Sequence, residues 1–308
     1  MRKNEIQLRH KLLYLSMLSF VFIATSAFSL NSNFNNLITY IYSPKNTKIY
    51  SDLPVLKESA KYPILSAQSV MAVDVTSGVT LYEKDLNKAL LPASTTKIVT
   101  ALVALDAYEL DQVLKVGKIA VEGQKMGLVT GEEIKFIDLL NGLLIYSAND
   151  AAEVLAQNHT GGRDLFIGLM NKKVKDLGLN NTHFGNPTGL DNGAQYSTTR
   201  DLIIVSKYAM KNPVFAEIVG TKEKIVKSID NKYSHKLANV NKLLGEVSGV
   251  FGVKTGWTEN ARENLVTYIE RDNRKVMIVV LGSSDRFGET KELIEWIYNN
   301  YEWQNVIP

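Results

Sequence analysis

The stretch of sequence that decides the fold is VFGVKTGWTENARENLVTYIERDNRKVMIVVL, residues 250–281. It contains three runs rich in Val, Ile and Tyr, at residues 250–255, 264–270 and 275–281. Such side chains favour strands, and Asp272 and Asn273 supply a turn between the last two runs. The stretch therefore predicts three strands of an antiparallel sheet.

Two further strand-like runs lie far upstream, at residues 69–75 and 79–83, with a Thr-Ser-Gly turn sequence between them. Helical patterns dominate from there to about residue 220. The predicted helices are one that begins at Pro92 and others at residues 136–145, 151–157 and 201–210. A last amphipathic helix follows the late strands, with apolar residues Leu293, Ile294, Ile297, Tyr298 and Tyr301.

The order of elements is thus a hairpin, a helical block, three strands and a helix. One sheet satisfies this order if the hairpin and the late strands join it and the helical block is inserted between them. The sequence therefore predicts an α+β fold, in which an antiparallel sheet is flanked by helices and carries a helical insert domain.

Charge and composition exclude several classes of protein. The 308 residues include 35 Lys and Arg against 32 Asp and Glu, and the excess of three positive charges lies within the first eleven residues. The rest of the chain is neutral overall, so no nucleic-acid partner is expected. The absence of cysteine excludes disulfides and a cysteine nucleophile. The four histidines have no metal-ligand spacing, so no metal or other cofactor is expected.

The first thirty residues have the layout of an export signal. A basic start precedes the uncharged run at 12–30, which is long enough to span a bilayer. Small residues at 24–27 could be a cleavage site, so a cleaved signal peptide and an uncleaved signal anchor both remain open. Either one predicts export to the cell envelope, and the anchor would attach the protein to the membrane. Residues 31–62 are rich in Asn, with Ser and Pro, and are predicted to be a spacer before a domain at 63–308.

Ser94 and Lys97 form the first pattern that could carry chemistry. They lie three residues apart at the start of a predicted helix and so share one face. A serine hydroxyl becomes a nucleophile when a base takes its proton, and a lysine can be that base if desolvation or a second cation keeps it neutral. A helix cap with a solvated lysine is the alternative explanation of this short pattern.

Two more patterns lie downstream. Ser147 and Asn149 stand at a break between two predicted helices, where they could face a cleft or cap the next helix. Lys254 and Gly256 share one face at the end of a predicted strand, and the glycine leaves room for a substrate backbone. An edge lysine beside a turn glycine is the alternative for this last pair.

In this order the patterns are S-x-x-K, S-x-N and K-T-G, the motifs of penicillin-binding proteins and serine β-lactamases. The chain resembles the serine D-Ala-D-Ala carboxypeptidases, the low-molecular-mass penicillin-binding proteins. Segments similar to that family are LPASTTK at 91–97, SANDAA at 147–152, NPTGLD at 186–191, TTRDL at 198–202 and NVNKLL at 239–244.

The resemblance implies a β-lactamase or penicillin-binding transpeptidase-like fold and an acyl-enzyme on Ser94. Lys97 would be the general base, and Ser147 would relay a proton to the leaving amine. The expected partners are a peptidoglycan stem peptide as substrate, losing its terminal D-Ala, and β-lactams as covalent inhibitors. The family also implies substrate-binding roles for Asn149, Lys254, Thr255, Gly256 and Trp257.

Within this set, Asn149 would orient Lys97 or the substrate amide, and Lys254 and Thr255 would hold the terminal carboxylate. The backbone N–H groups of Ser94 and Trp257 would form the oxyanion hole. Lys254 would also be the second cation that lowers the pKa of Lys97. The Trp257 side chain could border the cleft or pack in the core.

Two departures from the family pattern bear on these expectations. Ala261-Arg262 stands where many members carry a small residue followed by glycine, which affects substrate preference more than catalysis. The chain stops soon after the last predicted helix, so no second C-terminal domain is expected.

Other functions of the same motifs remain open. A class A β-lactamase needs a deacylating glutamate before the third motif, and residues 159–200 contain none. A D,D-endopeptidase that cleaves peptidoglycan crosslinks shares every motif. A non-catalytic protein that binds β-lactams or the cell wall is a third alternative.

Overall fold

The computed structural model describes residues 52–191 and 195–305 of the chain. In chain order its strands are β1 (Asp52–Leu56), β2 (Ser69–Asp74), β3 (Thr80–Lys84), β4 (Val113–Lys115), β5 (Glu133–Lys135), β6 (Glu223–Lys227), β7 (Ser234–Ala238), β8 (Val250–Thr258), β9 (Arg262–Arg271), β10 (Arg274–Ser283) and β11 (Tyr301–Asn305). The main sheet has five antiparallel strands in the order β3-β2-β10-β9-β8. The upstream hairpin and the three late strands therefore share one sheet, as predicted.

The helices are α1 (Lys97–Ala107), α2 (Phe136–Leu144), α3 (Asn149–Asn158), α4 (Gly162–Asp176), α5 (Thr199–Ala209), α6 (Pro213–Val219) and α7 (Arg286–Asn300). A short 3₁₀ turn, Ala93–Thr96, leads into α1. The predicted helices are present, except that Tyr301, predicted to lie on the last helix, is the first residue of β11, and α4 and α6 lie in the predicted helical block without having been assigned bounds there. The α+β fold with an antiparallel sheet is thereby confirmed.

Strand β10 explains why the sheet sits in the middle of the fold. Side chains alternate between the two faces of a strand. Val276, Ile278 and Val280 face a core that α7 completes with Leu293, Ile294 and Ile297. Met277, Val279 and Leu281 face the second core, beneath the helical block that includes α1. Both faces are covered, so β10 is a continuous apolar run rather than an alternating one.

Strand β1 changes the predicted domain boundary. Residues 52–56 belong to the segment predicted as a spacer, yet they pair antiparallel with β11, with Asp52 opposite Asn305. The partner lies at the other end of the chain, so local sequence gives no sign of the pairing. The folded part thus begins before residue 63.

The predicted export signal and most of the predicted spacer lie outside the described residues. Within residues 52–191 and 195–305, every helix is too short or too polar to cross a bilayer.

Candidate active site

The three sequence patterns meet at one cleft. Ser94 lies in the 3₁₀ turn before α1, Ser147 and Asn149 lie where α3 begins, and Lys254 lies on β8. The cleft has a volume of about 590 Å³, and its lining includes Ser94, Ser147, Asn149, Thr255, Gly256 and Trp257. The predicted site residues are therefore neighbours in space.

The amine of Lys97 is completely buried beside the hydroxyl of Ser94. Its Nζ lies 2.9 Å from Ser94 Oγ, 2.6 Å from Asn149 Oδ1 and 2.6 Å from the carbonyl oxygen of Thr188. The two carbonyl oxygens can only accept hydrogen bonds. A neutral amine that donates its two N–H bonds to them therefore turns its lone pair toward Ser94, which is the geometry a general base requires.

Burial supplies the neutral form of Lys97. Loss of solvation lowers the pKa of Lys97 to about 7, and the carboxylates of Asp150 and Glu153 limit the fall. Burial also lowers the pKa of Lys254 well below its ordinary value, and repulsion by Lys97 and Arg286 adds to the effect. Burial is thus the main cause of the lowered pKa at both lysines, and repulsion between Lys97 and Lys254, the effect expected from the sequence, acts in the same direction.

Ser147 is held by Lys254. The Nζ of Lys254 donates to Ser147 Oγ at 2.8 Å and to the carbonyl oxygen of Thr255 at 3.1 Å. Ser147 has a φ of 61°, in the left-handed region that non-glycine residues seldom adopt. The residue that caps α3 is Ala148, with no side-chain capping bond. Ser147 and Asn149 therefore do not serve as helix caps, the structural alternative for this pattern.

Gly256 permits the close approach of β8 to the turn that carries the nucleophile. A Cβ atom at this position would lie 3.1 Å from Ser94 N, 3.1 Å from the carbonyl oxygen of Pro92 and 3.2 Å from the Cβ of Ala93. These distances are shorter than ordinary van der Waals contacts. The structure thus gives the glycine a role in packing two parts of the site together, besides the room for substrate inferred from sequence.

Trp257 lines the cleft, and Arg262 begins the neighbouring strand β9. The Trp257 side chain is 61% exposed, which excludes the alternative of core packing. Arg262, the first residue of β9, adopts a φ of 59° and lies opposite Thr258. Glycine adopts that conformation without strain, so the departure at Ala261-Arg262 places a strained arginine opposite Thr258, the residue after Trp257.

Arg286 is a site residue that sequence reasoning missed. It is the first residue of α7, it lines the cleft, and its Nη1 donates to the carbonyl oxygen of Gly256 at 2.8 Å. Burial lowers the pKa of Arg286, and Glu263 opposes the change. Arginine keeps its charge in proteins, so this end of the cleft has a permanent cation. No motif contains Arg286. It follows β10 in the chain, and the sheet order β10-β9-β8 brings it to the end of β8.

Thr188 and Asn264 are further residues with structural roles at the site. Thr188 lies in the NPTGLD segment and contributes a backbone carbonyl, a role that does not depend on its side chain. Asn264 on β9 donates to the carbonyl oxygen of Leu91 at 2.9 Å and accepts from the N–H of Gly282 at 2.8 Å, so it ties the nucleophile segment to the sheet. Among the residues that the structure describes, no group of acidic or histidine side chains could hold a metal ion.

Comparison with known proteins agrees with this arrangement. Residues 56–285 match the model of the peptidase family S11, D-alanyl-D-alanine carboxypeptidase. The carboxypeptidase DacF of Bacillus subtilis is 33% identical over 77% of this chain, and the match spans 63% of DacF. DacB2 of Mycobacterium tuberculosis is 35% identical over 77% of this chain and 84% of its own length.

Solved structures of D,D-peptidases are also similar to this chain. The DD-transpeptidase of Streptomyces K15 superposes with a TM-score of 0.74 at 32% identity, over 78% of this chain and 100% of that one. A D-alanyl-D-alanine carboxypeptidase from Mycobacterium tuberculosis superposes with a TM-score of 0.74 at 33% identity, over 82% of this chain and 98% of that one.

Proposed function

The chain belongs to the D-alanyl-D-alanine carboxypeptidase family, and on that premise we propose that it is a serine D,D-carboxypeptidase. It removes the terminal D-Ala from peptidoglycan stem pentapeptides through an acyl-enzyme on Ser94. The observation that carries the proposal is the 2.9 Å contact between Ser94 Oγ and the fully buried Nζ of Lys97. An isolated serine lacks such a base.

Acylation begins when Ser94 Oγ attacks the carbonyl carbon of the penultimate D-Ala and gives its proton to Lys97. The N–H groups of Ser94 and Trp257 stabilise the oxyanion of the tetrahedral intermediate. Ser147, bonded to Lys254, relays the proton that Lys97 took from Ser94 to the nitrogen of the departing D-Ala, so Lys97 is neutral again before hydrolysis. Water then hydrolyses the ester and restores the Ser94 hydroxyl. A β-lactam acylates the same serine, and its leaving group stays attached to the acyl part, which slows hydrolysis.

The terminal carboxylate of the substrate binds at the Lys254 end of the cleft. Arg286 supplies a permanent positive charge there, and the Thr255 hydroxyl is available as a donor. The carboxylate also favours the protonated form of Lys254, because an opposite charge nearby raises the pKa of an amine. Substrate binding thus opposes the lowering of the Lys254 pKa that burial and repulsion cause.

The test uses the full chain and a peptide that ends in Lys-D-Ala-D-Ala. Release of free D-alanine by the wild type, and its loss in Ser94→Ala, is the expected result. If a fluorescent penicillin labels Ser94 but no D-alanine appears, the carboxypeptidase proposal is overturned in favour of an endopeptidase or a non-catalytic receptor. If a folded sample shows neither release nor labelling, both the activity and the nucleophile are wrong.

Acyl transfer to an amine is a second candidate, because the Streptomyces K15 structure is named a DD-transpeptidase. Adding an amine acceptor such as glycine to the peptide assay separates the two. Hydrolysis gives a peptide that has lost one residue, whereas transfer gives a new peptide bond to the acceptor.

The proposed substrate also fixes where the protein acts. Peptidoglycan lies outside the cytoplasmic membrane, and the predicted signal at residues 1–30 would export the chain. An uncleaved signal would hold the protein at the membrane surface.

A further inference from the structure

A histidine and a carboxylate that this mechanism does not use are buried together behind one wall of the cleft. His235 lies on β7, and Glu132 lies just before β5. Their relative exposures are 6% and 4%, and His235 Nε2 lies 2.7 Å from Glu132 Oε1. The other ring nitrogen, Nδ1, lies 3.1 Å from the carbonyl oxygen of Met126. The residues come together from positions about a hundred apart in sequence, so the contact is tertiary.

Both ring nitrogens of His235 and both carboxyl oxygens of Glu132 have hydrogen-bond partners. The Met126 carbonyl only accepts, so Nδ1 must bear a hydrogen. The short contact between Nε2 and Oε1 needs one more proton, on either the ring or the carboxyl group. Glu132 Oε2 accepts the N–H of Val129 at 3.0 Å, so both carboxyl oxygens are engaged. The pair therefore fixes two points, Met126 and Val129, of the segment 116–132.

The same segment is held from the catalytic side by α3. The carboxylate of Asp150 accepts the N–H groups of Met126, Gly127 and Leu128 at 3.0, 2.9 and 3.1 Å. Met126 is thus bonded through its N–H to Asp150 and through its carbonyl to His235. One residue of the segment connects β7 to the helix that begins at Asn149.

The front of the segment orients Asn149. The carbonyl oxygen of Glu122 accepts from Asn149 Nδ2 at 2.7 Å, and that of Gln124 accepts from Asn149 N at 2.7 Å. An amide that donates through Nδ2 on one side presents Oδ1 on the other. That oxygen is the one that lies 2.6 Å from Lys97 Nζ.

We propose that His235 and Glu132 are a positioning pair, which keeps the Asn149 amide turned toward Lys97 by fixing the segment 116–132. The inference rests on the proposed roles of Ser94 and Lys97. The pair never touches the substrate. It acts through Met126, Glu122 and Asn149, and its loss changes the reactivity of Lys97 rather than the binding of the substrate carboxylate.

The test measures the acylation rate of Ser94 by a fluorescent penicillin between pH 5 and 9. His235→Phe keeps an aromatic ring, somewhat larger than imidazole, and removes both hydrogen bonds. We expect its plateau rate to fall about tenfold or more, as small misplacements of catalytic groups do. The acid limb of its profile should also move to lower pH, because Asn149 Oδ1 then supports the ammonium form of Lys97 less well.

Two further variants separate positioning from general stability. Glu132→Gln can donate to Nε2 and still accept from Val129, so it should keep the wild-type rate and acid limb. Tyr298→Phe removes a remote hydrogen bond, from Tyr298 Oη to the carbonyl oxygen of Arg274 at 2.9 Å, and should lower stability with no shift of the acid limb. If His235→Phe does not fold, His235→Gln, which retains one of the two bonds, should show the same two changes at smaller size.

An unchanged acid limb in the His235 variants, or a Glu132→Gln variant as impaired as His235→Phe, would overturn the proposal. The readout does not need carboxypeptidase activity. If penicillin acylates the wild type but no D-alanine is released, the proposed function is refuted. The positioning role of His235 and Glu132 can still be tested in that case.

Discussion

Replacing Lys97 by methionine should make the protein more stable at pH 6 and less stable at pH 9. Methionine has nearly the volume of lysine without its charge, so the change removes the cost of burying a cation. It also removes the three hydrogen bonds of Nζ to Ser94, Asn149 and Thr188. The burial cost depends on pH, whereas the loss of the hydrogen bonds does not. The effect of the substitution on stability therefore changes sign between pH 6 and pH 9.

The magnitude follows from the pKa of Lys97, which burial lowers from 10.5 to about 7. The unfolded chain binds the proton more tightly, so wild-type stability rises as pH increases from about 7 to 10.5. At pH 6 nearly the full penalty applies, about 5 kcal/mol, and at pH 9 about 2 kcal/mol remains. Three lost hydrogen bonds cost about 3 kcal/mol at any pH. Lys97→Met is thus expected to gain about 2 kcal/mol at pH 6 and to lose about 1 kcal/mol at pH 9.

Urea unfolding followed by circular dichroism at several pH values measures this difference. Repulsion from Lys97 also lowers the pKa of Lys254, so removing Lys97 disturbs a second titration. Comparing the double variant K97M/K254M with K254M alone isolates the contribution of Lys97. A stability difference that stays constant from pH 6 to pH 9 would refute the reasoning, because a solvated Lys97 has no burial penalty to lose.

The remaining predictions concern catalysis and the edge of the cleft. The acylation rate of wild-type Ser94 by penicillin should rise about tenfold per pH unit below pH 7 and then level off, since the base is neutral Lys97; a flat profile from pH 5 to 8 would contradict this role. Gly256→Ala should slow acylation at least about tenfold, because the new Cβ crowds Ser94 N; Gly185→Ala, where no atom lies within 4 Å, is its control, and equal rates would show that the turn gives way. Arg286→Gln should raise KM for the peptide about tenfold with a small change in kcat, as loss of a charge-assisted contact to a carboxylate predicts; an unchanged KM places the carboxylate elsewhere. Arg262→Gly should raise the free energy of unfolding by about 1 kcal/mol in thermal or urea unfolding, because glycine adopts the left-handed φ of 59° without strain; no gain would mean that the arginine side chain compensates.

The parts of the fold that sequence predicted are those in which a local pattern coincides with burial. Strand β10 was predicted because Val276 to Leu281 are all buried, and helix α1 because its apolar residues face the core beneath the sheet. The hairpin of β6 and β7 was not predicted, because β6 buries Val226 alone. A strand with one buried residue carries no periodic signal.

Some residues of the site could be predicted from short sequence motifs, and others could not. Ser94, Lys97, Ser147 and Lys254 stand in short motifs whose chemistry is visible in the residues themselves. Arg286 is brought to the cleft by strand pairing that begins more than twenty residues earlier. Thr188 contributes a carbonyl oxygen that any residue type possesses. Roles of this kind depend on tertiary geometry, and residue types alone do not reveal them.

The pairing of β1 with β11 determines how the domain responds to mechanical tension. Asp52 lies opposite Asn305, so the two ends of the described fold leave the ribbon at the same end. A force that pulls these ends apart loads the pairs one at a time, beginning with Asp52 and Asn305, and opens the ribbon like a zipper rather than shearing it. Since β1 and β11 form a sheet of their own, the ribbon can open without breaking backbone pairs of the five-stranded sheet, but its side-chain links to that sheet, such as Asp52 to Arg274 and Trp303 to Asp74, must break with it. We therefore expect the ribbon to open under tension before the backbone pairs of the five-stranded sheet separate.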